Sequence, residues 1–459
     1  MKRGPPPPST GSPSKRQRPL EQGFEVTAEA LKEYILRKII KENHGGEIVG
    51  IAFNTTQADA HNMVATVGAN QLNVYDNEHV GDHLDIVSQY ISPEPIGSLL
   101  CVAWGDHPTD SLLILGSSSG ALQIVSLVRS IVVGQDLHTH SGPITSISVP
   151  PPASGLAGSC FLAQCASDGT STLHALPDGT VLATCHDNAS AIAWPTVATI
   201  PASSSSSSST VGTHTLQYLA GATDGSVSRW EIPFILPSPS REAVVLEGRK
   251  ISTFGDAENV EEAEAPGPSE PPEPTPSLVM KLGAQQKGHA GSPIDCMAVL
   301  GTGKVVTKSL NGVLLVWEMT GDSAKVVHRM RVSPPTLDGG QNSTFTHFAL
   351  SPCGSALAIG VAKTIRVIST STWETLGILQ HTRARTIVYS VAFNATGKQV
   401  LASGSDAFLW RYDYFPPETD AQKAAREARE ARKASIKFRP TSSTSTTTTS
   451  TSASTAAAP

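Results

Sequence analysis

Three short stretches carry residue types that do chemistry in other proteins, and each sits in the wrong surroundings for it. "GSSSG", residues 116–120, has the spacing of a nucleophile elbow, where a serine is lifted out of a strand-to-helix turn. The sequence that follows, "ALQIVSLV", alternates as a strand, so the helix the elbow needs is not expected. "GTGK", residues 301–304, offers a glycine turn and a lysine to a phosphate. It lacks the upstream glycine and the Ser/Thr after the lysine, and "VVTKSL" runs on as strand, so a hairpin turn is the better reading. "HTH", residues 138–140, offers imidazoles to a metal, but His140 is better accounted for by the repeat described next. The six cysteines, Cys101, Cys160, Cys165, Cys185, Cys296 and Cys353, form no C-x-x-C pair, which argues against a structural zinc site. No acid and base are paired. The expectation is a protein with no catalytic residues, no cofactor and no metal, whose chemistry is recognition.

The elements that would position such a surface are strands. "SLNGVLLVWE", residues 309–318, runs from a glycine turn through an apolar strand to an aromatic–acid pair, Trp317 and Glu318. The same unit recurs in "ANQLNVYD", "SGALQIVS", "DGTSTLHA", "DGSVSRWE", "AKTIRVIS" and "DAFLWRYD", which makes seven copies. Their ends lie 44 to 56 residues apart except for one gap of 87, which holds an acidic, Pro-rich stretch. A period of this length, built of strands, is the signature of a β-propeller. Upstream of each copy lies a short apolar segment: "IVGIAFN", "LLCVAWG", "ITSISVP", "ASAIAWP", "IDCMAVL", "HFALSPC" and "VYSVAFN". These suit the innermost strands around a central channel. His140, His289 and His381 precede three of them, as histidines do in WD-type repeats, where they hydrogen-bond within the blade. Val125, His174 and Ile368 take the aromatic position in three copies, so those blades are degenerate. The fold expected is all-β, a seven-bladed WD-repeat propeller over residues 24–414. The last copy ends at Asp413, so the outer strand of the last blade must come from elsewhere. Residues 31–43, "LKEYILRKIIKEN", are expected to supply it as a strand, although Leu31, Ile35 and Ile39 also have helical spacing.

Composition bounds the rest. The chain has 459 residues and a formal net charge of −6. Residues 1–23 form a basic, Pro-rich tail expected to be disordered, with "KRQR" as a possible nuclear import signal rather than a secretory one. Residues 236–290 are expected to loop out as a flexible acidic insertion, and the serine run at 203–210 as a smaller one. Residues 415–440 read as a charged helical extension and 441–459 as a disordered Ser/Thr/Ala tail. No apolar stretch reaches the ~20 residues of a membrane span.

"MVATVGANQLNVYD", "LLCVAWGDHPTDSLLILGSSSGALQIV", "IDCMAVLGTGKVVTKSLNGVLLVWE" and "SVAFNATGKQVLASGSDAFLWRYD" resemble the extra sex combs/EED family, the WD-repeat core subunit of Polycomb repressive complex two. The resemblance covers blades one, two, five and seven, and the others by spacing. It implies a nuclear scaffold that binds an Enhancer-of-zeste-type methyltransferase and other Polycomb subunits, supporting histone lysine methylation and silencing. It also implies an aromatic cage for trimethyl-lysine at the starts of inner strands. The matching positions here are Val49, Leu100, Thr346 and His347, and none is Phe, Tyr or Trp, although Phe345 is a near neighbour. Cation–π attraction needs ring faces, so histone-tail binding by this chain alone is expected to be weak. The alternative is a generic WD-repeat adaptor, such as a ubiquitin-ligase substrate receptor or an assembly factor.

Overall fold

The computed structural model describes residues 24–55, 60–79, 81, 83–107, 110–150, 161–195, 199–201, 213–235, 277–282, 288–289, 291–301, 303–320, 323–332, 346–380 and 387–437. The expected N- and C-terminal tails, the serine run, residues 236–276 of the insertion, Phe345 and His381 lie outside them.

Seven antiparallel sheets make seven blades of a β-propeller. Their innermost strands are Gly50–Phe53, Leu99–His107, Ile144–Ser148, Ala189–Ala193, Ile294–Val299, Phe348–Leu350 and Val388–Phe393, each within the apolar segment read from the sequence except Leu99–His107, which runs two residues beyond "LLCVAWG". The opening copy is the hairpin of strands Val305–Ser309 and Val313–Thr320 in blade five. Turns set the register. Gly120, in the turn of blade two, has φ +83°, and a Cβ there would overlap the carbonyl oxygen of His140, so this turn accepts only glycine.

A single blade has two apolar faces and cannot bury either alone. One core cluster joins Ala191, Leu219 and Val227 of blade four to Ile294, Val305, Leu315 and Trp317 of blade five. Another joins Ala358 and Val367 of blade six to Val388, Val400, Trp410 and Tyr412 of blade seven. The aromatic position is buried wherever the repeat supplies it, as at Tyr75, Trp317 and Tyr412.

The ring closes with Tyr34–Lys41, which pairs antiparallel with Phe408–Tyr414 as the outer strand of blade seven. Residues 34–41 are therefore strand, as the edge argument required. Leu31 belongs instead to one helical turn, Ala28–Lys32, whose N-cap Thr27 accepts from the Ala30 N–H. The Tyr34 hydroxyl donates to the Gly397 carbonyl at 2.5 Å. Lys38 reaches across to blade one, donating to the carbonyls of His79 and His83 at 2.9 and 2.8 Å. Arg411 also crosses this seam, donating to the carbonyl of Asn77 at 2.6 Å while it grips Asp413.

The insertion is narrower than expected. Residues 236–290 do not all loop out, because Ser277–Leu282 pairs with Val227–Ile235 as the outer strand of blade four. Its sequence, "SLVMKL", is apolar enough to fill that edge, and an unfilled edge is costly. Beyond Tyr414, Asp420–Lys437 is a helix. Thr419 accepts at its start from the Gln422 N–H, at 3.3 Å, and the side chains described, through Arg432, are exposed.

Candidate channel site

Two of the stretches that first suggested chemistry, "GSSSG" and "GTGK", lie at hairpin turns, whereas His138 of "HTH" ends the strand Ile131–His138. Strand Ala121–Ser126 follows "GSSSG", and Ser117 is buried with its hydroxyl accepting from the Ala121 N–H at 3.0 Å. Gly301, Gly303 and Lys304 of "GTGK" lie in the hairpin between Ile294–Val299 and Val305–Ser309, where Gly303 has φ +79°. Burial pushes the thiols of Cys101 and Cys296 up to about 12 and that of Cys185 up to about 11, so these sulfurs are poor nucleophiles at neutral pH.

Repeat histidines organise the blades. His289 bonds the Thr307 hydroxyl at 2.7 Å, and Trp317 Nε1 donates to the same oxygen at 2.9 Å, which ties the loop before blade five to its second and third strands. His140 bonds Thr170 and Thr172 and lies 3.3 Å from the turn acid Asp168. The aromatic position of blade three, His174, is filled by hydrogen bonds to Thr172, Gln164 and the Gly179 carbonyl. The sequence reading missed His44, which does the same work for blade one by bonding Thr66 at 2.8 Å. The signal was the spacing: "HGGEIVGIAF" follows the pattern of "HAGSPIDCMAV".

Around His44 lies a buried polar cluster. Asn73 donates to Asn43 and Tyr75, and more weakly to Glu42, while Gln71 donates to Asn43 and Asn73. Burial pushes the Glu42 carboxyl up to about 7 against the Asn73 hydrogen bond that lowers it, and pushes His44 down to about 4. His174 and His289 are also held down to about 4, chiefly by burial. A histidine with a depressed folded pKa contributes stability that is full above its unfolded value near 6.5 and is lost as pH falls towards 4. Glu42 acts oppositely: its raised pKa costs stability above pH ~4.5, and acid relieves that cost. At pH 5 the three histidines, and His347 which burial holds down in the same way, cost on the order of 2 kcal/mol each while Glu42 returns about 2–3 kcal/mol, so the fold is less stable at pH 5 than at pH 8 by several kcal/mol. Urea unfolding should show a lower midpoint at pH 5 than at pH 8, and Glu42→Gln should steepen that difference. A midpoint independent of pH would contradict this account.

The channel itself holds a cavity of about 280 Å³ walled by the inner strands of blades one, two, three, six and seven. Of the four cage positions, the structure brings two to this cavity, Leu100 and His347. Val49 is half-buried against the core between blades one and two, with its N–H on the Val67 carbonyl. Thr346 is half-buried beside His347 and does not line the cavity. Three rings do line it, Phe53, Phe348 and Phe393, but they are 6 %, 7 % and 5 % exposed and pack into the cores between blades. Behind His347 lies a buried ion pair across two strands of blade five, Lys308 with Asp295. Burial raises the Asp295 carboxyl while the Lys308 ammonium holds it down. Burial, with Lys308 second, pushes His347 down to about 4, so the ring is neutral at physiological pH.

No protein-family model matches the chain. It is similar to a Polycomb protein esc from Drosophila melanogaster, 30% identical over 115 residues, or 24% of this chain and 27% of that protein. It is also similar to a Polycomb protein esc from Musca domestica, 29% identical over 126 residues, or 27% of this chain and 29% of that one. The matched part thus spans about a quarter of the length of these curated relatives. A seven-bladed ring closed from its N-terminal side and curated relatives of a single name together bear out the resemblance of this chain to the extra sex combs/EED family of WD-repeat proteins.

Proposed function

We propose that the chain is a non-catalytic scaffold subunit of a Polycomb-type histone lysine methyltransferase complex, working in the nucleus. In this reading the propeller holds the SET-domain, Enhancer-of-zeste-type subunit and so supports gene silencing. The observation that carries it is the similarity to the Polycomb esc proteins. The raised thiol pKa values of buried Cys101, Cys185 and Cys296 and the setting of the serine motif in a hairpin support the non-catalytic part of this reading. Among the described residues no helix is long and apolar enough to cross a membrane. The test is affinity purification of the full chain from nuclear extract with mass spectrometry. A SET-domain methyltransferase in the eluate supports the reading, whereas a cullin adaptor without it supports a ubiquitin-ligase adaptor instead.

The cage is proposed to be absent. A quaternary ammonium gains roughly 0.5–1 kcal/mol from each exposed aromatic face and more from a desolvated one. Leu100 and Val49 present no ring, Thr346 adds nothing, and His347 is a neutral imidazole beside the Lys308 ion pair. Titration of the purified chain with trimethyl-lysine and unmodified histone peptides should therefore give equal affinities. A preference of about tenfold, ~1.4 kcal/mol, for the methylated peptide would overturn this.

A further inference from the structure

We propose that the loop after the third strand of blade one is a binding site for a divalent metal of the zinc class, held by His79, His83 and Asp85. These residues have the spacing H-x3-H-x-D in "HVGDHLD". Asp85 opens the outer strand Asp85–Ile91, and the two histidines lie on the loop leading into it. The carboxylate stands between the imidazoles: one oxygen is 2.7 Å from His79 Nδ1 and the other 3.3 Å from His83 Nε2. The ring centroids of the two histidines are 4.5 Å apart. One donor atom from each of the three side chains lies within 4.8 Å of the other two. Ligand atoms on a tetrahedral zinc stand roughly 3.3 Å apart, given Zn–N and Zn–O bonds of about 2.0–2.2 Å, so only small side-chain rotations separate this cluster from a coordination shell.

Two further features hold the cluster together. The Lys38 ammonium, arriving from the closing strand, donates to the backbone carbonyls of both histidines and so fixes the loop backbone beneath the donors. Gly81 lies under the His79 ring, where a Cβ would collide with Nε2. Two imidazoles and one carboxylate suit zinc and its borderline neighbours, whereas calcium and magnesium take oxygen ligands. Three protein donors on an exposed loop leave a fourth position for water. The site would sit beside the seam where blade seven's closing strand meets blade one, and a bound ion would fix the blade-one loop on which Lys38 docks.

The test is isothermal titration of the reduced full-length chain with zinc chloride, wild type against the double variant H79A/H83A. Wild type should bind one more equivalent than the variant, zinc should raise the melting temperature of wild type alone, and D85N should weaken binding tenfold or more. Calcium and magnesium should give no such shift. His83 is 66% exposed, so His83→Ala alone leaves the fold intact and serves as the control should the double variant misfold. Equal stoichiometry and affinity in wild type and His83→Ala would overturn the proposal, leaving a hydrogen-bonded surface cluster only.

Discussion

Deleting residues 31–43 should leave a chain with no cooperative melting transition. The deletion removes the outer strand of blade seven, and with it the buried side chains of Leu31 and Tyr34 and the half-buried Leu36 and Ile39. Each large apolar side chain fully buried is worth about 1.5–3 kcal/mol, so the loss approaches the 5–15 kcal/mol that a whole domain typically has. The deletion also uncovers the edge of Phe408–Tyr414 and removes Lys38, Glu42 and Asn43 from the seam with blade one. Two point variants separate pairing from mere chain length. Tyr34→Ala should cost about 3–5 kcal/mol, because the ring is buried and its hydroxyl bonds Gly397. Ile35→Ala, on the opposite face and 53% exposed, should change stability by less than about 0.5 kcal/mol. Circular dichroism melts check all three. A truncated chain that melts like wild type would show that the strand does not close the ring.

Asp295→Ala should destabilise the fold by about 3–5 kcal/mol, because it leaves the Lys308 ammonium buried without its carboxylate. Asp295→Leu combined with Lys308→Met should come back to within about 1 kcal/mol of wild type, since apolar packing replaces a buried pair at little cost. The comparison by urea unfolding distinguishes a charge effect from a packing defect: if the double variant is as unstable as the single one, the ion pair is not the cause. Removing the ammonium should also raise the pKa of His347, which NMR titration of its ring can read. Burial, the larger cause of its depression, stays in place, so the rise should be partial.

What the sequence disclosed follows from what repeats. Seven copies of one hairpin exposed the ring, because each buried aromatic or its substitute recurs at a fixed offset from its turn, as Tyr75, Trp317 and Tyr412 do. The closing strand was legible only by an argument about edges, and its first residue was misplaced because Leu31 lies in a helical turn started by the Thr27 cap. Ser277–Leu282 went unread because it follows acidic, Pro-rich sequence and has no copy of its own upstream. His44 was overlooked because the closing strand precedes it, hiding its kinship with His140 and His289. The cage positions came from motif alignment alone, and only Leu100 and His347 reach the cavity. The His79, His83 and Asp85 cluster belongs to one loop and repeats nowhere, so no periodicity pointed to it.

The closing strand has a consequence in time. Tyr34 and the Gly397 carbonyl it bonds are 363 residues apart in the chain. At a synthesis rate of about 5–20 residues per second, roughly 20–70 s pass between the emergence of the first partner and of the second. Throughout that interval the strand's backbone donors and acceptors, and the apolar side of Tyr34, Leu36 and Ile39, are without their blade, while six other blades emerge and stack. The nascent chain thus carries an adhesive segment until its last blade emerges. Ring closure is then the last step of folding and the one with the longest loop to close, so it is at this strand that a ribosome-associated chaperone would have most to shield.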